Sequence, residues 1–238
     1  VGVFDAQSLV ILFVIGAFSA IYGFVLNDYA DLEIDKQVKE LQQKPLVNGS
    51  VSPRQAIYIC VFSVFLVFFF VLYLWQGQAM DSYKLWALFS LLLTKVLGSI
   101  YNLFGKRFAG SDVLVGIAIA CMVLFGALSF GPPNVFTWII VMLTFNNALH
   151  MNAVEGGIKD AENDALMGVK NIALASGVKV KGQRVVIPLS FKIFSFSIRL
   201  CSALLVFVPV LCLGYNYPLW KTTTLAIIIT GVLWLSYR

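Results

Sequence analysis

Seven apolar segments divide this chain, and each is close to the roughly 20 residues that an α-helix needs to cross a bilayer. Backbone groups in lipid must hydrogen-bond within their own segment, so such segments fold as helices. The composition agrees, because 60% of the residues are hydrophobic and only 12% are charged. We therefore predict an all-α, polytopic transmembrane helix bundle. The predicted spans are about 8–27, 56–75, 85–103, 113–130, 136–154, 196–213 and 219–235.

Residues 1–238 are expected to form a single transmembrane domain, because a helix bundle in lipid has no reason to split. We expect no signal peptide, since no basic segment leads to a small-residue cleavage site. The cysteines lie in apolar segments without CxxC spacing, so neither disulfides nor a zinc site is expected. A nucleic-acid partner is not expected either.

The basic residues predict the orientation of the chain. If the spans alternate, the loops 28–55, 105–112 and 155–185 lie on one side and hold most of the lysines and arginines. The positive-inside rule makes that side cytoplasmic. Nearly all acidic residues lie there too, which the rule does not explain. We predict an integral protein of the cell membrane whose acidic motifs face the cytoplasm.

The first acidic run follows the first span and contains Asn27, Asp28, Asp31 and Asp35. In a helix, Asn27, Asp31 and Asp35 share one face, and Asp28 flanks it. Like charges so close repel one another unless a positive charge lies among them. Mg2+ carrying phosphates is the natural partner for such oxygen ligands. An ordinary solvated helix end is the alternative.

The second acidic run continues the fifth span, which becomes polar toward the same side. At about 100° per residue, Asn146, His150, Gly157, Asp160 and Asp164 fall within a sector of roughly 80°. Polar groups within a span usually face a cavity or a partner. This face therefore predicts the wall of a central cavity that opens toward the cytoplasm. A lone histidine such as His150 is more often a hydrogen-bonding bundle residue than a ligand.

Basic residues follow both acidic runs. Carboxylates would hold Mg2+, while the cations would bind the phosphate oxygens that the metal leaves free. A lysine or arginine at headgroup level is the ordinary alternative for each. Lys95 lies deeper, in the third span, and either has a function, pairs with a polar neighbour or snorkels. The basic candidates are Lys44, Arg54, Lys106, Arg107, Lys159 and Lys170.

These motifs together resemble the UbiA superfamily of intramembrane prenyltransferases, in order, spacing and topology over nearly the whole chain. Tyr101 with Lys106-Arg107 is similar to the basic loop of that family. The first and second aspartate motifs are matched by Asn27-Asp28-x-x-Asp31-x-x-x-Asp35 with Lys44-Pro45-Leu46 and Gly49, and by Asp160-x-x-x-Asp164-x-x-x-Gly168-Val169-Lys170 with Gly177.

The chain departs from the family pattern in three ways. Gly157 stands where the second motif has a further aspartate. Glu155 is the nearby acidic residue that could substitute for it, but it lies at a different angle around the helix. Lys44 stands where the family has arginine, so the bidentate grip on phosphate is lost. About seven of the family's nine spans are present, and the first and last helices are expected to be absent.

The resemblance implies Mg2+-dependent transfer of a prenyl group from a prenyl diphosphate to a hydrophobic acceptor, either an aromatic quinone precursor or a glycerolipid. It implies metal binding by Asn27, Asp28, Asp31, Asp35, Asp160 and Asp164. Substrate contacts are expected from Asn27, Lys44, Lys106, Lys159, Asn146 and His150. Catalytic roles fall to Tyr101, Lys106 and Asp160. The Phe-rich second span is expected to supply part of a groove for the prenyl tail.

Two other functions remain open. A terpene cyclase would need the same metal site but no acceptor. A cation-coupled transporter would place its carboxylates near the bilayer midplane on broken helices. The position of the carboxylates along the helices distinguishes the transporter from the enzymes.

Overall fold

The computed structural model describes residues 5–181 and 184–237, and helices account for most of them. The helices are α1 (Ala6–Ala30), α2 (Leu32–Asp35), α3 (Pro53–Leu74), α4 (Ser82–Phe104), α5 (Asp112–Leu128), α6 (Val135–Leu149), α7 (Gly157–Lys159), α8 (Ala161–Leu166), α9 (Ile172–Ala175), α10 (Leu189–Cys212) and α11 (Leu219–Tyr237). Short 3-10 turns cover Lys39–Leu41 and Gly105–Arg107, and a π-helical segment covers His150–Gly156. The strands β1 (Lys179–Lys181) and β2 (Arg184–Val186) pair antiparallel.

A helix occupies each predicted span position in the described part of the chain, which confirms the all-α polytopic bundle. Four helical segments are long and apolar enough to cross a membrane. The helices α5 and α11 are apolar but shorter. The helix α6 has 15 residues and continues directly into the π-helical segment. The four long segments are Ala6–Ala30, Pro53–Leu74, Ser82–Arg107 and Leu189–Cys212.

Two local features differ from the sequence expectation. The sixth span was predicted to begin at about residue 196, but α10 begins at Leu189, so Lys192 lies in its first turn. The hairpin of β1 and β2 was not predicted, because three-residue strands are too short to show a two-residue period.

Polar residues in the links begin the helices that follow them. Ser52 and Gln55 form a capping box at the start of α3, with Pro53 as its first helical residue. Asp81 accepts a hydrogen bond from the backbone N–H of Lys84 at the start of α4. Asn134 caps α6 in the same way through Thr137. These caps fix where the long helices enter the bundle.

The apolar core lies between α1, α3, α4 and α5. Ile15, Val67, Val71, Leu91 and Phe125 are almost fully buried there. Many other large apolar side chains point outward, which suits helices surrounded by lipid. This core packs the N-terminal halves of α1 and α4. The C-terminal ends of the same two helices line a cavity.

Gly157 allows α7 to pack closely against α9. A Cβ atom at Gly157 would lie 2.8 Å from the Cβ of Ala173, far inside normal contact. Gly126 in α5 has nothing within 4 Å of such an atom. Any side chain at position 157 therefore has to push α9 away.

Gly157→Ala is expected to lower the free energy of unfolding by about 1–3 kcal/mol, because the added methyl group overpacks this contact. Ala173→Gly in the same chain should recover most of the loss. Thermal unfolding in detergent measures both changes, with Gly126→Ala as the control. Equal melting temperatures for Gly157→Ala and Gly126→Ala would contradict the close packing.

Candidate functional site

A cavity of about 830 Å³ lies between α1, α4, α5 and the segments that follow α6. Residues from both acidic runs line it, although more than a hundred positions separate them along the chain. The prediction that the two runs meet at one cavity is therefore correct in its geometry. The predicted site residues on its wall are Asn27, Asp31, Asp35, Lys44, Tyr101, Lys106, Lys159, Asp160 and Asp164.

The first acidic run turns out of α1 into the cavity. The helix ends at Ala30, and Asp31 closes it by donating its backbone N–H to the carbonyl of Asn27. The side-chain amide of Asn27 also donates to Asp31 Oδ2 at 3.2 Å. Asp31 is 8% exposed and Asp35 only 4%. Two buried carboxylates one turn apart require neighbouring positive charge.

Two lysines from distant loops supply this charge. Lys106 Nζ lies 2.8 Å from Asp31 Oδ1. Lys44 Nζ lies 2.7 Å from Asp28 Oδ1 and 2.7 Å from Asp35 Oδ2, so it bridges two carboxylates. Asp28 itself is not among the residues that line the cavity. In this structure its contribution is to hold Lys44 in place.

The second acidic run is tied to the basic turn after α4. The backbone N–H of Lys170 donates to the carbonyl of Lys106 at 3.0 Å. Asn171 Nδ2 donates to Asp164 Oδ2 at 2.7 Å, which fixes the orientation of that carboxylate. Asp160 lies at the break between α7 and α8. The loop after α8 therefore holds Asp164 and Lys106 in one local unit.

Burial shifts the ionisation of the site. Burial raises the pKa of Asp31 above its ordinary value, although the ion pair with Lys106 acts in the opposite direction. Burial likewise raises the pKa of Asp164. For Lys44, burial alone would lower the pKa, but its hydrogen bonds to Asp28 and Asp35 outweigh this and raise it. Such carboxylates ionise readily only beside a further cation.

Tyr101 projects from α4 into the same space. Its hydroxyl donates to Asn152 Oδ1 at 3.4 Å, a long contact that leaves the ring facing the cavity. Asp112, at the start of α5, also lines the cavity, is 5% exposed and has no hydrogen-bond partner for Oδ2 among the described residues. Asp112 was not among the site residues predicted from the sequence. Asn163 and Asn171 were also missed on the cavity wall.

Asn146 and His150 do not line the cavity, so their predicted placement on its wall is wrong. His150 Nδ1 lies 3.2 Å from Glu155 Oε1, and Nε2 lies 3.2 Å from Ser195 Oγ. The reason is the π-helical segment His150–Gly156. Its wider turns rotate the chain by less than 100° per residue, so the residues before it leave the face of those after it.

The missing aspartate of the second motif has a steric explanation. The Gly157 position has no room for a side chain beside Ala173. Glu155 does not replace it, because Glu155 Oε1 also accepts a hydrogen bond from Arg199 at 3.1 Å and lies outside the cavity lining. Of the described carboxylates in the second run, Asp160 and Asp164 are therefore the ones that line the cavity.

The donor set fits Mg2+, which prefers carboxylate and amide oxygens. Within the described ranges, no group of three or more His, Cys, Asp or Glu residues could hold a metal ion alone. Mg2+ is commonly bound by one or two carboxylates together with substrate phosphates. An ion at this wall would therefore need oxygen ligands from a bound diphosphate. The residues that would hold it are Asn27, Asp31, Asp35, Asp160 and Asp164.

The UbiA prenyltransferase family matches the chain over residues 1–238. A 4-hydroxybenzoate octaprenyltransferase of Pseudomonas syringae pv. syringae (strain B728a) is 31% identical over 179 residues, which are 71% of this chain and 54% of that protein. A related octaprenyltransferase of Francisella tularensis subsp. novicida (strain U112) is 27% identical over 179 residues, 73% of this chain and 58% of that protein. The chain thus spans about half the length of the curated relatives it matches.

Solved structures of similar fold agree with the bundle. A UbiA homolog from Aeropyrum pernix K1 superposes with a TM-score of 0.72 at 18% identity, covering 98% of this chain and 82% of that one. A UbiA homolog from Archaeoglobus fulgidus bound to DMAPP and Mg2+ gives a TM-score of 0.68 at 19% identity, covering 98% and 75%. At such identities the likeness concerns the fold.

Asp164→Asn is expected to raise the melting temperature at pH 7. The raised pKa of Asp164 means that folding disfavours its ionised form, so the wild type loses stability as the pH rises through that pKa. The advantage of the variant should shrink as the pH falls toward the ordinary carboxyl value of about 4. Thermal unfolding in detergent across this range measures it. The exposed Glu162 provides the control Glu162→Gln, and a pH-independent gain would contradict the burial argument.

Proposed function

This chain belongs to the UbiA prenyltransferase family, and we propose that it transfers a prenyl group from a prenyl diphosphate to a hydrophobic acceptor in an Mg2+-dependent reaction. One observation carries the proposal: carboxylates from two distant runs and the lysines Lys44 and Lys106 line the same cavity. The names of the octaprenyltransferase relatives and the DMAPP and Mg2+ in a similar structure support it. The relevant domain is residues 1–238 as a single transmembrane unit.

The polar wall binds the diphosphate. When an allylic carbon–oxygen bond breaks, negative charge develops on the leaving pyrophosphate, and preorganised positive groups stabilise it. Lys106 and Lys44 present ammonium groups at this wall, and Lys159 and Lys170 lie beside them. Bound Mg2+ would neutralise negative charge on the diphosphate oxygens and so assist the departure of pyrophosphate. The aspartates would hold the ion, while the lysines would bind the phosphate oxygens that it leaves free.

The rest of the cavity is suited to the prenyl chain and the carbocation. Ala20, Val115, Ala118, Ile119 and Met122 form an apolar wall that excludes water from a reactive cation. The ring of Tyr101 faces the same space, and a π face stabilises positive charge. We assign Tyr101 this role and place the reacting carbon between it and Lys106.

The phenylalanines of α3, which were expected to form part of the groove for the prenyl tail, do not line the cavity. Phe65 and Phe69 are exposed on the outside of the bundle. Phe70 stacks on Phe18 with ring centroids 6.4 Å apart, as part of the apolar core. The wall for the prenyl tail comes instead from α1 and α5.

The acceptor is an aromatic quinone precursor or a glycerolipid, and the named relatives favour the aromatic class. A terpene cyclase would use the same polar wall without an acceptor, so product analysis separates the two. The carboxylates disfavour a transporter, because Asp31 follows the end of α1 and Asp160 interrupts the short helices α7 and α8. By the positive-inside rule, the basic loops support our proposal that this end of the bundle faces the cytoplasm in the cell membrane.

The function is tested with detergent-purified protein, labelled prenyl diphosphates of several lengths, Mg2+ and membrane extract, followed by mass analysis of the product. A prenylated acceptor is expected, and a cyclised hydrocarbon would indicate the cyclase. Asp31→Asn should abolish turnover while the bundle stays folded, because it removes a buried metal-binding carboxylate. Glu33→Gln is the matched control, since Glu33 lies in the same run but is exposed and pairs with Lys36. Full activity of Asp31→Asn would contradict the proposal.

Lys106→Ala is expected to raise the KM for prenyl diphosphate by about 10- to 100-fold, because a charged hydrogen bond to phosphate is lost. The neighbouring Arg107 is outside the cavity lining and packs over the ring of Phe104, so Arg107→Ala is the control. Steady-state kinetics at saturating acceptor give both values. An unchanged KM in Lys106→Ala would remove this lysine from the diphosphate site.

A further inference from the structure

A second cationic group lies deep in the cavity, away from the acidic runs. Lys95 lines the cavity from the middle of α4, eleven residues before Lys106. With a rise of 1.5 Å per residue, the two backbone positions are roughly 16 Å apart along the helix. The diphosphate site around Lys106 and Asp31 is therefore distinct from the site around Lys95.

Lys95 is held by an aromatic ring and not by a carboxylate. Its Nζ lies 5.0 Å from the centroid of the Tyr22 ring. The hydroxyls of Tyr22 and Ser99 are 2.6 Å apart, and Ser99 donates to the carbonyl of Lys95. Within residues 5–181 and 184–237, no carboxylate lies within ion-pair distance of Lys95. The ammonium group therefore contacts an aromatic ring, and no carboxylate of these residues neutralises its charge.

An unsatisfied hydroxyl lies on the same wall. Ser19 lines the cavity from α1, one helical turn before Tyr22. Its Oγ is buried and has no hydrogen-bond partner among the described residues. A buried polar atom without a partner destabilises the fold. Lys95 offers only donors, and the Ser19 hydroxyl offers one more.

We propose that Lys95 and Ser19 bind the anionic group of the acceptor, a carboxylate on an aromatic ring or the phosphate of a glycerolipid. An ammonium inside a membrane protein is costly without a countercharge, and two donors in the lining of one cavity match an oxyanion. An acceptor anchored by its anionic end at Lys95 extends its other end toward the diphosphate at the cavity mouth. This inference rests on the proposed transfer and names the feature by which the acceptor is selected.

Direct binding tests the site without turnover. Wild-type protein in detergent is titrated with 4-hydroxybenzoate and with its neutral analogue 4-hydroxybenzamide, and separately with a glycerophosphate ether lipid and the same lipid lacking its phosphate. The anionic member of one pair should bind at least about 10-fold more tightly, and the pair that shows this preference identifies the acceptor class. Lys95→Met should remove the preference, Lys95→Arg should keep it, and Ser19→Ala should weaken it. Lys192→Met, which removes an exposed lysine outside the cavity lining, should change nothing.

Kinetics separate this site from the diphosphate site. Lys95→Met should raise the KM for the acceptor by about 10- to 100-fold and leave the KM for prenyl diphosphate unchanged. Equal binding of the charged and neutral probes by wild type, or a preserved preference in Lys95→Met, would overturn the proposal. So would a rise confined to the KM for prenyl diphosphate. If wild type transfers no prenyl group, the proposed function fails, while the binding experiment still decides the role of Lys95.

Discussion

The neutralisation of buried carboxylates by lysines from other parts of the chain is the interaction on which the polar end of this bundle depends. Asp31 and Asp35 are almost fully buried, and burial of unpaired charges costs several kcal/mol each. Lys106 and Lys44 supply the counterions and connect the end of α1 to the turn after α4 and to the loop before α3. Removing the lysine or the aspartate of such a pair would leave the other side chain charged and without a partner of opposite sign. The ion pairs therefore shape the end of the bundle as well as its chemistry.

The same pairs suit a diphosphate site, because a lysine that neutralises a carboxylate is already positioned where phosphate oxygens and Mg2+ would bind. If Mg2+ binds the carboxylates, each lysine becomes free to bind phosphate oxygens. The carboxylates and the lysines then both keep a partner of opposite charge. The raised pKa values of Asp31 and Asp164 fit this view, since a nearby cation restores their ionisation. Lys44 has two carboxylate partners and Lys106 one, so Lys106 exchanges its partner at lower cost.

Much of the bundle follows from the length of the apolar segments, and the shared face of the first acidic run follows from helical periodicity. A spacing of four residues put Asn27, Asp31 and Asp35 on one face, and the structure has all three on the cavity wall. The same reasoning failed for Asn146 and His150, because the π-helical segment that begins at His150 changes the rotation per residue before Asp160. No residue type in that segment marks a π-helix. A single sequence does not reveal contacts between distant residues either. The close packing of Ala173 against Gly157 is visible only in the folded structure.

The two ends of the cavity differ in how their charged side chains are neutralised. This difference bears on where each substrate would bind. At the mouth, each lysine that contacts an aspartate is neutralised within the protein. Among the described residues deep in the bundle, Lys95 contacts the face of Tyr22 and has no carboxylate partner, and the Ser19 hydroxyl has no hydrogen-bond partner. A protein keeps such a group at a cost, so the compensating charge has to arrive with a ligand. A metal-bound diphosphate at the mouth and an anionic acceptor at the deep end would leave the apolar middle, beside Tyr101, as the place where the new bond forms.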